Sequence, residues 1–139
     1  MDVDYHFVTE VTCAEEKELA GLYQEAGWWD GQGDGAWVRE LPRNSALFLT
    51  ARDNGRIVGM GRVIADRVSD GYLQDIFVTE SLRNRKIGAE LVRRLTEAAV
   101  AMGIDWLLLI AVPGKEQFYE ALGYQVMPRH VPMRFGGRP

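Results

Sequence analysis

Apolar and polar residues alternate in several short stretches of the chain and recur at helical spacing in two longer ones, which predicts strands with helices between them. Residues 3–9 read as a first strand. Thr12-Cys13-Ala14-Glu15 then has the form of a capping box, in which the threonine hydroxyl and the glutamate carboxylate satisfy free backbone N–H groups. Leu19, Leu22, Tyr23 and Ala26 mark the apolar face of the helix it opens, and Gly27 is its stop. Residues 46–52 and 56–64 form two strands joined through Asp53-Asn54-Gly55, whose Asn-Gly pair favours the positive φ of a tight hairpin turn. Residues 72–78 form a further strand. Ile87, Leu91, Leu95, Ala98, Ala99 and Met102 line one face of an amphipathic helix that ends near Gly103. The continuous apolar run 106–112 reads as a strand buried on both faces, so strand, helix and strand imply a right-handed parallel βαβ unit. A short helix over 116–122, stopped by Gly123, precedes a last hairpin of residues 124–126 with 131–135. With no repeat, low-complexity tract or linker, residues 1–139 read as a single domain.

Composition narrows the function. The apolar fraction of 47% is that of an ordinary globular domain. The longest apolar stretch is far shorter than a bilayer span, and the N-terminus is acidic where a signal peptide is basic; the expectation is a cytoplasmic protein with no membrane partner. One cysteine, Cys13, with two histidines, His6 and His130, builds neither an internal disulfide nor a closed zinc site, and no metal is expected. The net charge of −4 argues against nucleic acid as a partner. That total hides an asymmetry, because residues 1–40 hold ten acids and two bases. Basic residues gather instead at Arg83, Arg85, Lys86, Arg93 and Arg94. Cations just ahead of a helix N-terminus oppose its partial positive charge, and an anion there would resolve the conflict, with N–H groups and side chains converging on phosphate.

At this turn the chain resembles the GNAT superfamily of N-acetyltransferases. Leu73-Gln74-Asp75-Ile76-Phe77-Val78 followed by Arg83-Asn84-Arg85-Lys86-Ile87-Gly88-Ala89 is similar to the family's acetyl-CoA signature, a strand leading into an Arg/Gln-x-x-Gly-x-Gly/Ala turn and a helix. Arg83 and Gly88 match, and Lys86 stands where the middle glycine is usual. Downstream, Phe118-Tyr119-Glu120-Ala121-Leu122-Gly123-Tyr124 resembles the family's Phe-Tyr-x-x-Leu-Gly-Phe/Tyr segment, with Val112 where the widespread form has Asn. The resemblance implies an α/β (α+β) fold: a mixed, mostly antiparallel sheet of six to seven strands with a central parallel splayed pair and about four flanking helices.

The resemblance also implies roles. Backbone groups of Ile76, Phe77 and Val78 would meet the pantetheine arm of acetyl-CoA. Those of Arg83, Asn84, Arg85, Lys86, Ile87, Gly88 and Ala89 would hold its pyrophosphate, with Phe118 packing beside it. Tyr119 matches the family's general acid for the departing thiolate, since a phenol of pKa about 10 keeps its proton at neutral pH. Asp75 is the candidate base. Strand alternation sets Asp75 and Gln74 on opposite faces unless a bulge intervenes, and Asp66 and Asp70 are alternatives. Between Gly27 and Trp37 four glycines and three tryptophans form a loop with aromatic anchors. There Trp28, Trp29 and Asp30, with Gln74, would border the acceptor, the indole faces and negative charge suiting a cationic amine. The expected activity is acetyl transfer to a small-molecule amine by direct attack. The alternatives are a protein lysine or N-terminal acetyltransferase and a non-catalytic acyl-CoA-binding module. Exposed strand edges at the C-terminus could pair two copies as a homodimer.

Overall fold

The computed structural model describes residues 2–136. The chain forms two compact units, one up to Leu109 and one from Ile110 onward. In the first, β1 (Val3–Phe7), β2 (Leu47–Asp53), β3 (Arg56–Ala65), β4 (Asp70–Val78) and β5 (Trp106–Leu108) make one sheet in the order β1-β2-β3-β4-β5. The first three ladders are antiparallel and β4 pairs β5 in parallel. Helices α1 (Cys13–Glu25), α2 (Glu40–Asn44) and α3 (Ile87–Ala101) belong to this unit, and α4 (Glu116–Glu120) to the second. Two single 3-10 turns, Ala36–Arg39 and Glu80–Leu82, complete it. Among the described residues no helix is long and apolar enough to cross a membrane.

Local chemistry fixes these elements where the sequence carries it. Thr12 and Glu15 exchange the two bonds of a capping box at the start of α1, Glu15 N to Thr12 Oγ1 at 3.1 Å and Thr12 N to Glu15 Oε1 at 2.8 Å. Asn54 (φ 51°) and Gly55 (φ 80°) are both left-handed, the turn that matches the twist of the β2–β3 hairpin. On one face of the sheet α1 buries Leu19, Leu22 and Tyr23 with Val38, Phe48, Ile57 and Met60. On the other, α3 sets Ile87, Leu91, Val92, Leu95 and Ala99 against the sheet at helical spacing. Gly61 permits the close approach of α3, since a Cβ there would lie 2.4 Å from Ile76 Cδ1 and 2.8 Å from Leu95 Cδ1.

Three expectations need correction. The run 106–112 gives only a three-residue strand at the sheet edge, and Trp106 is 49% exposed, so it is not buried on both faces. The ladder to β4 ends at Leu108, and Ile110 and Val112 are exposed. Among the described residues the closing hairpin does not form, and the sheet has five strands and not six to seven. Residues 124–126 and 131–135 carry strand-forming side chains, but Pro132 within the second supplies no N–H for a ladder. The C-terminal strand edges expected to pair two copies are absent as well, since residues 109–136 form no strand, and 137–139 lie outside the described residues. The bulge that the sequence left open along β4 is present at Asp75.

The acidic N-terminal third is largely spent inside the molecule. Glu15 pairs with Arg52, Glu16 with Arg39, Glu18 with Arg56 and Glu40 with Arg43. Glu25 accepts from Thr79 Oγ1 and from Glu80 N, both at 2.8 Å, and so ties α1 to the loop after β4. On α3, Arg93 and Arg94 pair with Glu90, which removes them from the basic cluster and leaves Arg83, Arg85 and Lys86.

Candidate functional site

The sheet opens beside β4. Its ladder to β5 covers only Asp70 to Tyr72. From Leu73 to Val78 that edge of β4 has no strand partner among the described residues, so apart from Val78 O, which Arg83 takes, its outward backbone groups are left for something else to pair. The free edge runs directly into the basic turn.

Arg83 folds back there. Its Nε donates to Val78 O at 3.1 Å and its guanidinium lies 5.2 Å from the centre of the Phe77 ring. Asn84 (φ 64°) and Lys86 (φ 65°) are left-handed, with Arg83 to Lys86 all exposed. Lys86 is the N-cap of α3 and its side chain makes no capping bond. The first intrahelical bond is Glu90 N to Lys86 O, so the N–H groups of Ile87, Gly88 and Ala89 lack helical partners. Uncapped N–H groups, a helix dipole and the cations of Arg85 and Lys86 therefore meet at one turn, which suits a phosphate.

The other half of this unit's site lies on the α1 face of β4. Met60 pairs with Phe77 and Arg62 with Gln74, so Asp75 and Ile76 together oppose Gly61. This is a β-bulge, and Asp75 is its left-handed residue (φ 60°). Aspartate tolerates that conformation better than most residues, at a cost of about 1 kcal/mol. The bulge corrects the simple alternation of β4. Ile76 turns toward α3, while Gln74 shares the α1-side face with Arg62 and the Asp75 carboxylate reaches Tyr23 of α1 on that same face.

Asp75 Oδ2 accepts from Tyr23 Oη at 2.6 Å and from Arg62 Nε at 2.7 Å. The side chains of Arg62 and Asp75 are only 14% and 12% exposed, so the pair is well shielded from solvent. Burial, then the negative charge and hydrogen bond of Asp75, push the Tyr23 phenol well above its ordinary pKa, so it remains a donor. Tyr23, Arg62 and Ser45 were not among the residues chosen from sequence. Tyr23 reads there as one more apolar position of a helix. Arg62 carried a signal, being the one charged residue of the otherwise apolar run 57–65, where a charge requires a partner.

Aromatic rings surround this pair. Tyr23 lies 5.3 Å from Trp37 and 5.9 Å from Trp28 between ring centres, and Trp28 lies 5.9 Å from Phe77. Trp28 is 50% and Trp37 40% exposed, so both keep a face open to a ligand. Trp29 packs against the core and donates Nε1 to Gln32 O at 3.1 Å, which makes it the structural member of the set. Asp30 accepts from Gln32 N and Asp34 from Ala36 N, so those carboxylates shape the loop. Asp70 opens β4 and Asp66 lies in the turn before it. Asp66 Oδ1 accepts from the backbone N–H of Val68, Ser69 and Asp70, which holds its carboxyl below the usual range and commits it to the turn.

In the second unit, Tyr119 is half-buried on α4, with ring centres 5.0 Å from Phe118 and 6.0 Å from Tyr124. Burial and Tyr124 raise its pKa above the ordinary phenol value, which keeps it protonated at neutral pH.

Comparison with known proteins fits this geometry. Residues 44–126 match the family model described as "Acetyltransferase (GNAT) domain". An uncharacterized ycf52-like N-acetyltransferase of Prochlorococcus marinus is 25% identical over 130 residues, 90% of this chain and 71% of the relative. An IAA acetyltransferase of Azospirillum brasilense is 33% identical over 73 residues, which span 52% of this chain and 48% of that protein. Among solved structures, a probable acetyltransferase from meticillin-resistant Staphylococcus aureus superposes with a TM-score of 0.79 at 20% identity, covering 96% of this chain and 98% of its own.

Proposed function

The chain belongs to the GNAT acetyltransferase family, an acyltransferase group whose donor is acetyl-CoA, and from that premise we propose that it transfers acetyl from acetyl-CoA to the primary amine of a small molecule by direct attack. The observation that carries this reading is the unpaired β4 edge running into an uncapped, cation-ringed helix start. That edge offers strand-like hydrogen bonds from the backbone of Ile76 and the N–H of Val78 to the amide groups of the pantetheine arm, whereas the backbone of Phe77 faces Met60 of β3 and is not available there. The turn from Arg83 to Ala89 offers N–H groups and positive charge to its phosphates.

The transfer forms a bond between the amine nitrogen and the acetyl carbon and breaks the carbon–sulfur bond. An ammonium acceptor gives up two protons in the process. Asp75 takes one and passes it to solvent, using Oδ1, since the bonds from Tyr23 and Arg62 both fall on Oδ2. Tyr119 gives its own proton to the departing sulfur and is restored by the second. Removing the Tyr119 hydroxyl as Tyr119→Phe lowers kcat about tenfold to a hundredfold with little change in the KM for acetyl-CoA, as read by thiol release in an amine screen. An unchanged kcat would remove Tyr119 from the reaction.

Lys86 is the departure from the family's turn, and it works in two directions. As a left-handed residue it costs stability, while its charge favours phosphate. Lys86→Gly is expected to stabilise the fold by about 0.5 kcal/mol in denaturant titration and to weaken acetyl-CoA binding about threefold.

A further inference from the structure

Beside the Arg62–Asp75 pair stands an excess of positive charge. Arg62 uses Nε on Asp75 and extends Nη1 to within 3.4 Å of Ser45 Oγ. Arg67, from the loop before β4, brings Nη2 within 3.4 Å of Ser45 O. Two guanidinium groups thus flank one nearly buried serine, and both contacts are at the outer limit of a hydrogen bond. Among the described residues Arg67 is within ion-pair distance of no carboxylate, and Arg62 has only Asp75. Arg67 is also held in the left-handed region (φ 63°), within the turn that Asp66 closes, so its position is fixed by the loop.

We propose that the acceptor is a zwitterion, an amino acid with an aromatic side chain, whose ammonium meets Asp75 and whose carboxylate meets the Arg62 and Arg67 guanidinium groups beside Ser45. This deepens, and rests on, the acetyltransferase reading. A simple amine would draw on Asp75, the carboxylate that pairs Arg62, and leave the guanidinium groups short of negative charge. A simple carboxylate would meet the guanidinium groups but bring no nitrogen to Asp75 to receive acetyl. An amino acid supplies both charges a few ångströms apart, the scale on which Arg62 and Asp75 are themselves arranged. The open faces of Trp28 and Trp37, joined to Asp75 through Tyr23, then receive its ring. Guanidinium groups are suited to this task because they stay charged and present several donors in one plane.

The test is calorimetric binding to the full chain in the presence of saturating coenzyme A, which permits no transfer. L-tryptophan is compared with tryptamine, which lacks the carboxylate, and with 3-indolepropionate, which lacks the ammonium. L-tryptophan is expected to bind at least about tenfold more tightly than either. Arg67→Gln, at an exposed position, is expected to remove most of the advantage over tryptamine. Equal or tighter binding of tryptamine or of 3-indolepropionate, or an advantage untouched by Arg67→Gln, overturns the proposal. Failure of the acetyl-CoA reading would show separately, as loss of coenzyme A binding in the titration that precedes these.

Discussion

Asp75→Asn is expected to lower kcat/KM for the acceptor by about a hundredfold or more, with the fold and acetyl-CoA binding retained. The substitution isolates charge from backbone. Asparagine accepts the left-handed conformation as readily as aspartate, so the bulge at Asp75 and Ile76 keeps its geometry. Its amide can still accept from Tyr23 and Arg62, whose bonds converge on one oxygen. What it loses is the negative charge that neutralises Arg62, holds an ammonium and accepts a proton. Asp75→Ala would be a poorer probe, because alanine adds about 1–2 kcal/mol of left-handed strain to the chemical loss. Steady-state kinetics, with circular dichroism and acetyl-CoA titration as controls, give the answer. An Asp75→Asn enzyme with undiminished kcat/KM would leave the carboxylate a purely structural partner of Arg62.

The second large effect concerns stability. Leu95→Ala is expected to lower the unfolding free energy by about 2–5 kcal/mol, a large part of the 5–15 kcal/mol typical of a domain. Leu95 is fully buried on α3 and reaches over Gly61, where the sheet offers no side chain to fill a vacated space. The cavity would open beside Ile76, the second residue of the bulge, so local collapse would move β4 rather than a loop. Urea titration should show a lower midpoint with an unchanged slope. A loss below 1 kcal/mol would mean that α3 is held by something other than this packing.

How much of this was legible in the sequence depends on how local the cause was. The capping box at Thr12 and Glu15, the Asn54-Gly55 hairpin and the apolar face of α3 are each set by residues within a few positions of one another, and all formed where expected. The basic turn was visible for the same reason. The bulge was not fixed by any local pattern, because it arises from how β3 and β4 register against each other around Gly61. Tyr23 and Arg62 are 52 and 13 residues from the carboxylate they hold, so only the assembled sheet brings them to it. The closing hairpin failed in the opposite way. Its β-branched and aromatic residues promised strands, but strand propensity reflects a partner and a half-buried face more than an intrinsic preference. Pro132 also removed a ladder donor from the second strand.

Calorimetric titration of the protein with acetyl-CoA, at several salt concentrations and with the 3′-dephospho form as control, is the most direct test of whether β4 and the turn from Arg83 to Ala89 receive the donor. Micromolar binding that weakens as salt rises, and weakens further without the 3′-phosphate, is the expected result. No detectable binding, or binding indifferent to salt, would contradict the assignment of that turn as the phosphate site.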